Sequence, residues 1–79
     1  MLYVFFIMNG DFFYRRLGLR IITIRKAQKL SQEDMSDRAH IDRTYYARIE
    51  QGKVNPTVRV LHKIARALKI TISFLLYGV

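Results

Sequence analysis

From Phe12 onward the apolar residues recur at helical spacing. Leu17, Ile21 and Ile24 stand four and three apart and form one buried stripe. The stripe predicts a first helix running to about Lys29, with Arg15, Arg16, Arg20, Lys26 and Lys29 on its other faces. Leu30 ends it. Ser31 followed by Asp34 is a capping-box-like start for a second helix, and Glu33 and Asp34 sit in the first turn, where the helix dipole favours acids. Met35 and Ala39, four apart, face inward. His40-Ile41 forms a turn, and Asp42 is the next good N-cap.

The third helix runs from Arg43 to about Gln51, and Gly52 is its stop signal. Its two sides differ. Tyr45, Tyr46 and Ile49 lie inward, whereas Thr44, Ala47, Arg48 and Gln51 lie outward at i, i+3, i+4 and i+7. Arg43 joins the outward side. Lys53-Val54-Asn55-Pro56 reads as a loop, because Pro56 excludes a continued helix. Thr57 caps a fourth helix with the stripe Leu61, Ile64, Ala65 and Leu68, which Val58 or Val60 joins. Thr71 caps a short last helix through Ile72, Phe74, Leu75 and Leu76. The expected fold class is all-α, five short helices.

Residues 1–8, MLYVFFIM, are apolar and uncharged. Eight residues are too few for a membrane-spanning helix, which needs about 20. No basic segment precedes them and no small-residue cleavage site follows, so they do not read as a signal peptide. Aromatic and β-branched content fits a short strand or a partner-binding arm. Packing on the domain as an extra layer, or a true start at Met8, are competing readings. The chain divides into an apolar arm, 1–11, and one domain, 12–79.

Seventy-nine residues suit one small domain, often helped by a partner subunit. Cysteine is absent, which removes disulfides, thiolate metal sites and cysteine nucleophiles. Fourteen Lys and Arg against six Asp and Glu give a net charge of +8 and point to a polyanionic partner, nucleic acid before an acidic membrane surface. Every charged residue after Glu50 is basic: Lys53, Arg59, Lys63, Arg66 and Lys69. His40 and His62 are 22 positions apart with no convincing carboxylate set, so no metal site is expected. The acids sit mostly at helix starts, and the glycines form no phosphate loop. No enzyme and no cofactor are expected, and the signal-free chain reads as cytoplasmic.

Two short helices joined by a tight turn, the second with an exposed polar face, form a helix-turn-helix. Such a helix fits the major groove. Arginine near its N-terminal end can bind guanine through two parallel hydrogen bonds, and small residues allow close approach.

Residues 17–76 resemble the Cro/phage-repressor, or XRE-type, helix-turn-helix family. The matching string is Leu17-Gly18, Ile21, Arg25, Leu30-Ser31-Gln32-Glu33, Ala39, Arg48-Ile49-Glu50-Gln51-Gly52-Lys53, Asn55-Pro56-Thr57, Leu61, Ile64-Ala65, Ala67-Leu68 and Leu75-Leu76. Asp42-Arg43-Thr44-Tyr45 is similar to the recognition-helix start of restriction–modification controller proteins. The resemblance implies a lambda-repressor-like fold. It implies that Arg43, Thr44 and Arg48 read base edges with Ala47 in contact, and that Gln32, Lys53, Asn55 and Thr57 hold phosphates. It also implies an internal ion pair between Arg25 and Glu50. An acid near a helix C-terminus independently needs such a partner. One of the two tyrosines packs in the core, and the hydroxyl of the other, assigned to Tyr46, reaches a phosphate. Two departures stand out: His40 occupies a turn position often held by glycine, and Lys69 replaces the usual glycine after Leu68, so that helix end is expected to differ.

The last segment, Ile70 to Val79, is more apolar than a lone domain needs. Phe74, Leu75, Tyr77 and Val79 are the expected dimer interface, with MLYVFFIM a rival surface. Together these readings describe a sequence-specific regulator of transcription that binds double-stranded DNA as a homodimer on a palindromic operator. The rival is an antitoxin-like interaction module that grips a partner protein through its apolar ends.

Overall fold

The computed structural model describes the backbone of residues 2–79 and the side chains of residues 12–79. Among the described residues there are five helices and no strand: α1 (Leu2–Ala27), α2 (Gln32–Ala39), α3 (Arg43–Glu50), α4 (Val58–Ala67) and α5 (Ile72–Leu76). The backbone is helical from Leu2, so these residues begin α1 rather than forming the short strand that is one reading of them. Any packing or partner role of those side chains lies outside the described residues.

The starts of α2 to α5 are set by side chains that accept first-turn amides. Ser31 accepts from Asp34 while Asp34 accepts from the Ser31 amide, a complete capping box. Asp42 accepts from Tyr45, Thr57 from Val60, and Thr71 from Phe74. Each such cap is worth about 0.5–2 kcal/mol. Helices this short do not persist in water alone, so packing completes what the caps begin.

The ends of α1, α2, α3 and α4 share one geometry. A residue in the left-handed region follows each helix, and the amide after it reaches back five residues: Leu30 to Arg25, Ile41 to Ser36, Lys53 to Arg48 and Ile70 to Ala65. Only the third of these uses glycine, Gly52 at φ +73°. Lys29, His40 and Lys69 take φ of 60°, 55° and 58° despite their side chains. The end of α4 therefore keeps the turn that glycine would make, with Lys69 in its place, rather than departing from it.

The core joins all five helices: Leu17, Ile21 and Ile24 from α1, Met35 and Ala39 from α2, Tyr46 and Ile49 from α3, Ile64, Ala65 and Ala67 from α4 with Leu68 behind them, and Leu75 from α5. Val60 is half-buried against this cluster, whereas Val58 is 68% exposed, which settles which valine joins the α4 stripe. Helix α1 packs on α3 and α5, α2 packs on α3 and α4, and α4 packs on α5. Gly18 lies at the α1–α3 contact. A β-carbon there would overlap the Glu50 carbonyl and come within 2.8 Å of the Ile49 carbonyl oxygen. At the far end, Gln28, just past α1, donates to the Leu68 carbonyl at 2.8 Å and ties the end of α1 to the end of α4.

Candidate nucleic-acid interface

Helix α3 buries Tyr46, Ile49 and Glu50 and turns its other side outward. Arg43, Thr44, Arg48 and Gln51 are exposed and Ala47 is half-buried, so these side chains share one outer face. Lys53, Asn55 and Thr57 are exposed on the segment that follows. The Thr57 hydroxyl already accepts from Val60, but its hydrogen is not used by that bond. The Arg43 guanidinium lies 3.6 Å from the Glu33 carboxylate, and both side chains are about two-thirds exposed. An exposed pair of this kind contributes less than about 1 kcal/mol, so Arg43 remains available to a ligand.

Behind this face lies a buried polar cluster centred on Glu50. Arg25 donates to Glu50 from Nε at 2.6 Å and from Nη2 at 3.1 Å, and its Nη1 donates to the Leu30 carbonyl at 2.8 Å. Gln32 Nε2 donates to Glu50 Oε1 at 2.8 Å, and the Tyr46 hydroxyl donates to Oε2. Burial is the strongest single influence on the Glu50 carboxyl and raises its pKa, but the hydrogen bonds from Arg25, Tyr46 and Gln32 together outweigh it and hold the group below its ordinary value. The Tyr46 hydroxyl is pushed well up, first by burial and then by its bond to the carboxylate. Arg25 is raised by the same pairing with Glu50, against an opposing effect of burial. The cluster fixes α3 against α1 and α2, because its members come from all three helices. It also neutralises an acid placed where the α3 dipole disfavours one.

Two sequence expectations fail here. Tyr46 does not reach a phosphate: it is 0% exposed and its hydroxyl is committed to Glu50. Tyr45, its neighbour, is half-buried against the core. Leu75 does not belong to a subunit interface, since it is 0% exposed within the core of its own chain. The Gln32 side chain is half-buried and spends one amide hydrogen on Glu50. The first-turn amides of Gln32 and Glu33 are not used by the capping box, which takes those of Ser31 and Asp34.

The C-terminal segment is held by arginines whose role sequence reading missed. Arg16 Nη2 donates to the Gly78 carbonyl, and Arg20 Nη2 donates to the Phe74 carbonyl at 2.7 Å. The Arg20 guanidinium also stacks over the Phe74 ring, 4.7 Å from its centre. Phe74 is 51% and Tyr77 76% exposed, while Val79 is half-buried. The signal was present: Arg16 and Arg20 are one turn apart on α1.

Capped helices α2 and α3, the turn between them and the solvent-facing polar side of α3 define a helix-turn-helix protein. The helix-turn-helix family pattern matches residues 21–75, and the chain belongs to this family, in its XRE-type branch. It is 43% identical over 59 residues to the control protein C.MunI of a Mycoplasma species, a match covering 73% of this chain and 80% of that protein. It is 40% identical over 57 residues to the immunity repressor protein of Bacillus phage phi105, covering 72% of this chain but 40% of the repressor. Among solved structures, the restriction–modification controller protein C.AhdI of Aeromonas hydrophila superposes with a TM-score of 0.77 at 32% identity, over 78% of this chain and 94% of that one. The chain is thus a helix-turn-helix transcriptional regulator of the repressor or controller type. Among the described residues, no helix is long and apolar enough to cross a membrane.

Proposed function

We propose that two copies of this chain bind a palindromic operator in double-stranded DNA and control transcription by occupying it. The observation that carries this reading is the outer face of α3, where Arg43, Thr44 and Arg48 are exposed while the inner face is spent on the core and on Glu50. Arg43, Thr44, Ala47 and Arg48 are the base-reading set. Lys53, Asn55 and Thr57 hold phosphates beside it, joined by the unused amides at the start of α2 and the free hydrogen of the Gln32 amide. Glu50 and Arg25 do not touch DNA; they hold the reading helix at its angle.

A dimer would place two such helices in successive major grooves, about 34 Å apart. The exposed rings of Phe74 and Tyr77, with the half-buried Val79, supply an apolar patch for it. The likeness to C.MunI and C.AhdI supports a controller of restriction–modification genes in particular.

The test is fluorescence anisotropy on duplex DNA from upstream of the chain's own gene and on random duplex, across a salt series. Specific regulation requires the upstream duplex to bind about a thousandfold or more tighter, with a steep salt dependence. Equal, weak binding to both duplexes would overturn the reading.

A further inference from the structure

An open cleft of about 450 Å³ lies between the C-terminal halves of α2 and α4. Its floor is Ala39 and Ala67, and its rim carries Arg38, His40, Lys63, Arg66 and Lys69. No carboxylate lines it. Among the described residues none of these five makes an ion pair within 4.0 Å. The dipoles at the ends of α2 and α4 favour a cation or two. They do not account for four cations, Arg38, Lys63, Arg66 and Lys69, gathered around one concavity, where each raises the cost of the others.

The position separates this cleft from the DNA-reading face. Arg66 lies nine residues past Thr57 on α4, about 13 Å further along the helix axis at 1.5 Å per residue. The proposed phosphate contacts use the opposite end of that helix. The cleft volume falls in the range of small-molecule sites rather than of a flat macromolecular footprint. Arginine forks and a lysine point charge on its rim match phosphate oxygens.

We propose that this cleft is a binding site for a small, multiply phosphorylated anion, of the size and charge of a nucleoside polyphosphate. The phosphates sit among Arg38, Lys63, Arg66 and Lys69, and the alanine floor admits the ligand's bulk. The site stands apart from the operator reading and does not depend on it.

Inorganic tripolyphosphate, titrated into the full chain, tests the site by calorimetry and by amide chemical shifts. The expected result is saturable one-to-one binding with a dissociation constant below about 1 mM at about 0.15 M salt. The amides of Ala39, His40, Ala67 and Lys69 should shift most. Lys63→Ala with Arg66→Ala should weaken binding by about tenfold or more, whereas Lys26→Gln with Arg59→Gln, which removes the same charge elsewhere, should change it less than about twofold. Equal losses from both pairs would reduce the effect to net charge and overturn the site. Shifts centred on Arg43, Thr44 and Arg48 would also overturn it, by placing the anion on the DNA face. So would tighter binding of a hexaglutamate peptide, which would make the cleft a protein-docking surface.

Discussion

The backbone carbonyl of Glu50 occupies the space that a side chain at Gly18 would need. A β-carbon at residue 18 would overlap that carbonyl and lie 2.8 Å from the carbonyl oxygen of Ile49. Backbone cannot yield as a flexible side chain can, so the approach of α1 to the end of α3 leaves no room for a β-carbon at this position. In an exposed helix interior, glycine to alanine adds about 1 kcal/mol of stability. Here Gly18→Ala should instead cost about 1–3 kcal/mol by overpacking. Urea denaturation settles the sign, and a stabilised variant would mean that α1 and α3 are further apart than described.

The Glu50 carboxylate gives stability a defined pH signature. Its pKa is held below the ordinary value, so the unfolded chain takes up its proton first as pH falls. Its contribution is complete above the unfolded value, about 4.3, and is lost as pH drops through the lower folded value. Glu50→Gln should lose this acid-side component while strongly destabilising the protein near neutrality, because Arg25 is left buried without its counter-charge; breaking such a pair costs about 3–5 kcal/mol. Urea midpoints for both proteins from pH 7 to pH 3 would show converging curves. Parallel curves would remove Glu50 from the acid transition.

Lys29 and His40 carry side chains in a conformation that glycine adopts without strain. For other residues the left-handed region costs about 1–2 kcal/mol, part of which glycine returns through its freer unfolded state. Lys29→Gly and His40→Gly should each stabilise the chain by roughly 0.5–1 kcal/mol. Gly52→Ala should act oppositely, since its β-carbon would also come within 2.7 Å of the Arg15 backbone. Thermal midpoints of the three variants form the check.

Arg43 and Lys53 should separate base reading from phosphate holding. Arg43→Ala is expected to cost about 1–3 kcal/mol on the operator and little on random DNA. Lys53→Ala should weaken both and lower the salt slope by about 1. Anisotropy titrations at several salt concentrations measure both effects, and equal losses of Arg43→Ala on the two duplexes would remove it from the base-reading set.

Tyr77, at 76% exposure, is the most accessible ring on the proposed subunit face. Tyr77→Glu should raise the dimer dissociation constant by about tenfold or more, which corresponds to about 1.4 kcal/mol. Sedimentation velocity reads the change directly. An unchanged constant would move the interface away from α5.

Much of this architecture was legible in the chain. Ser31, Asp42, Thr57 and Thr71 cap the helices they were expected to cap, because a short polar side chain before an apolar period has few other uses. The Arg25–Glu50 pair was legible through resemblance and through the dipole argument. The fate of Tyr46 was not. Tyr45 and Tyr46 both fall on the inner half of α3, and only the three-dimensional position of Glu50 decides whose hydroxyl is used. Leu75 was misjudged for a related reason. A helix of five residues turns too little for periodicity to assign a face, and packing against α1 and α4 chose Leu75 for the core while leaving Phe74 and Tyr77 outside. Gly18 carried a signal that was passed over, since a lone glycine inside a helical pattern often marks a close approach. The basic cleft was foreshadowed by the run of exclusively basic charges after Glu50, but no linear pattern reveals that Arg38 at the end of α2 and His40 just past it join it.

The outer side of α3 shares almost nothing with the interior that supports it. Substitutions at exposed positions of this kind usually change stability by no more than about 0.5 kcal/mol. Thr44 and Arg48 can therefore be exchanged while the Glu50 cluster keeps the helix in place. On the proposed reading, address and frame are written in different residues of the same two turns. A lineage of such proteins can acquire new targets by drift at a few surface letters, without passing through unfolded intermediates.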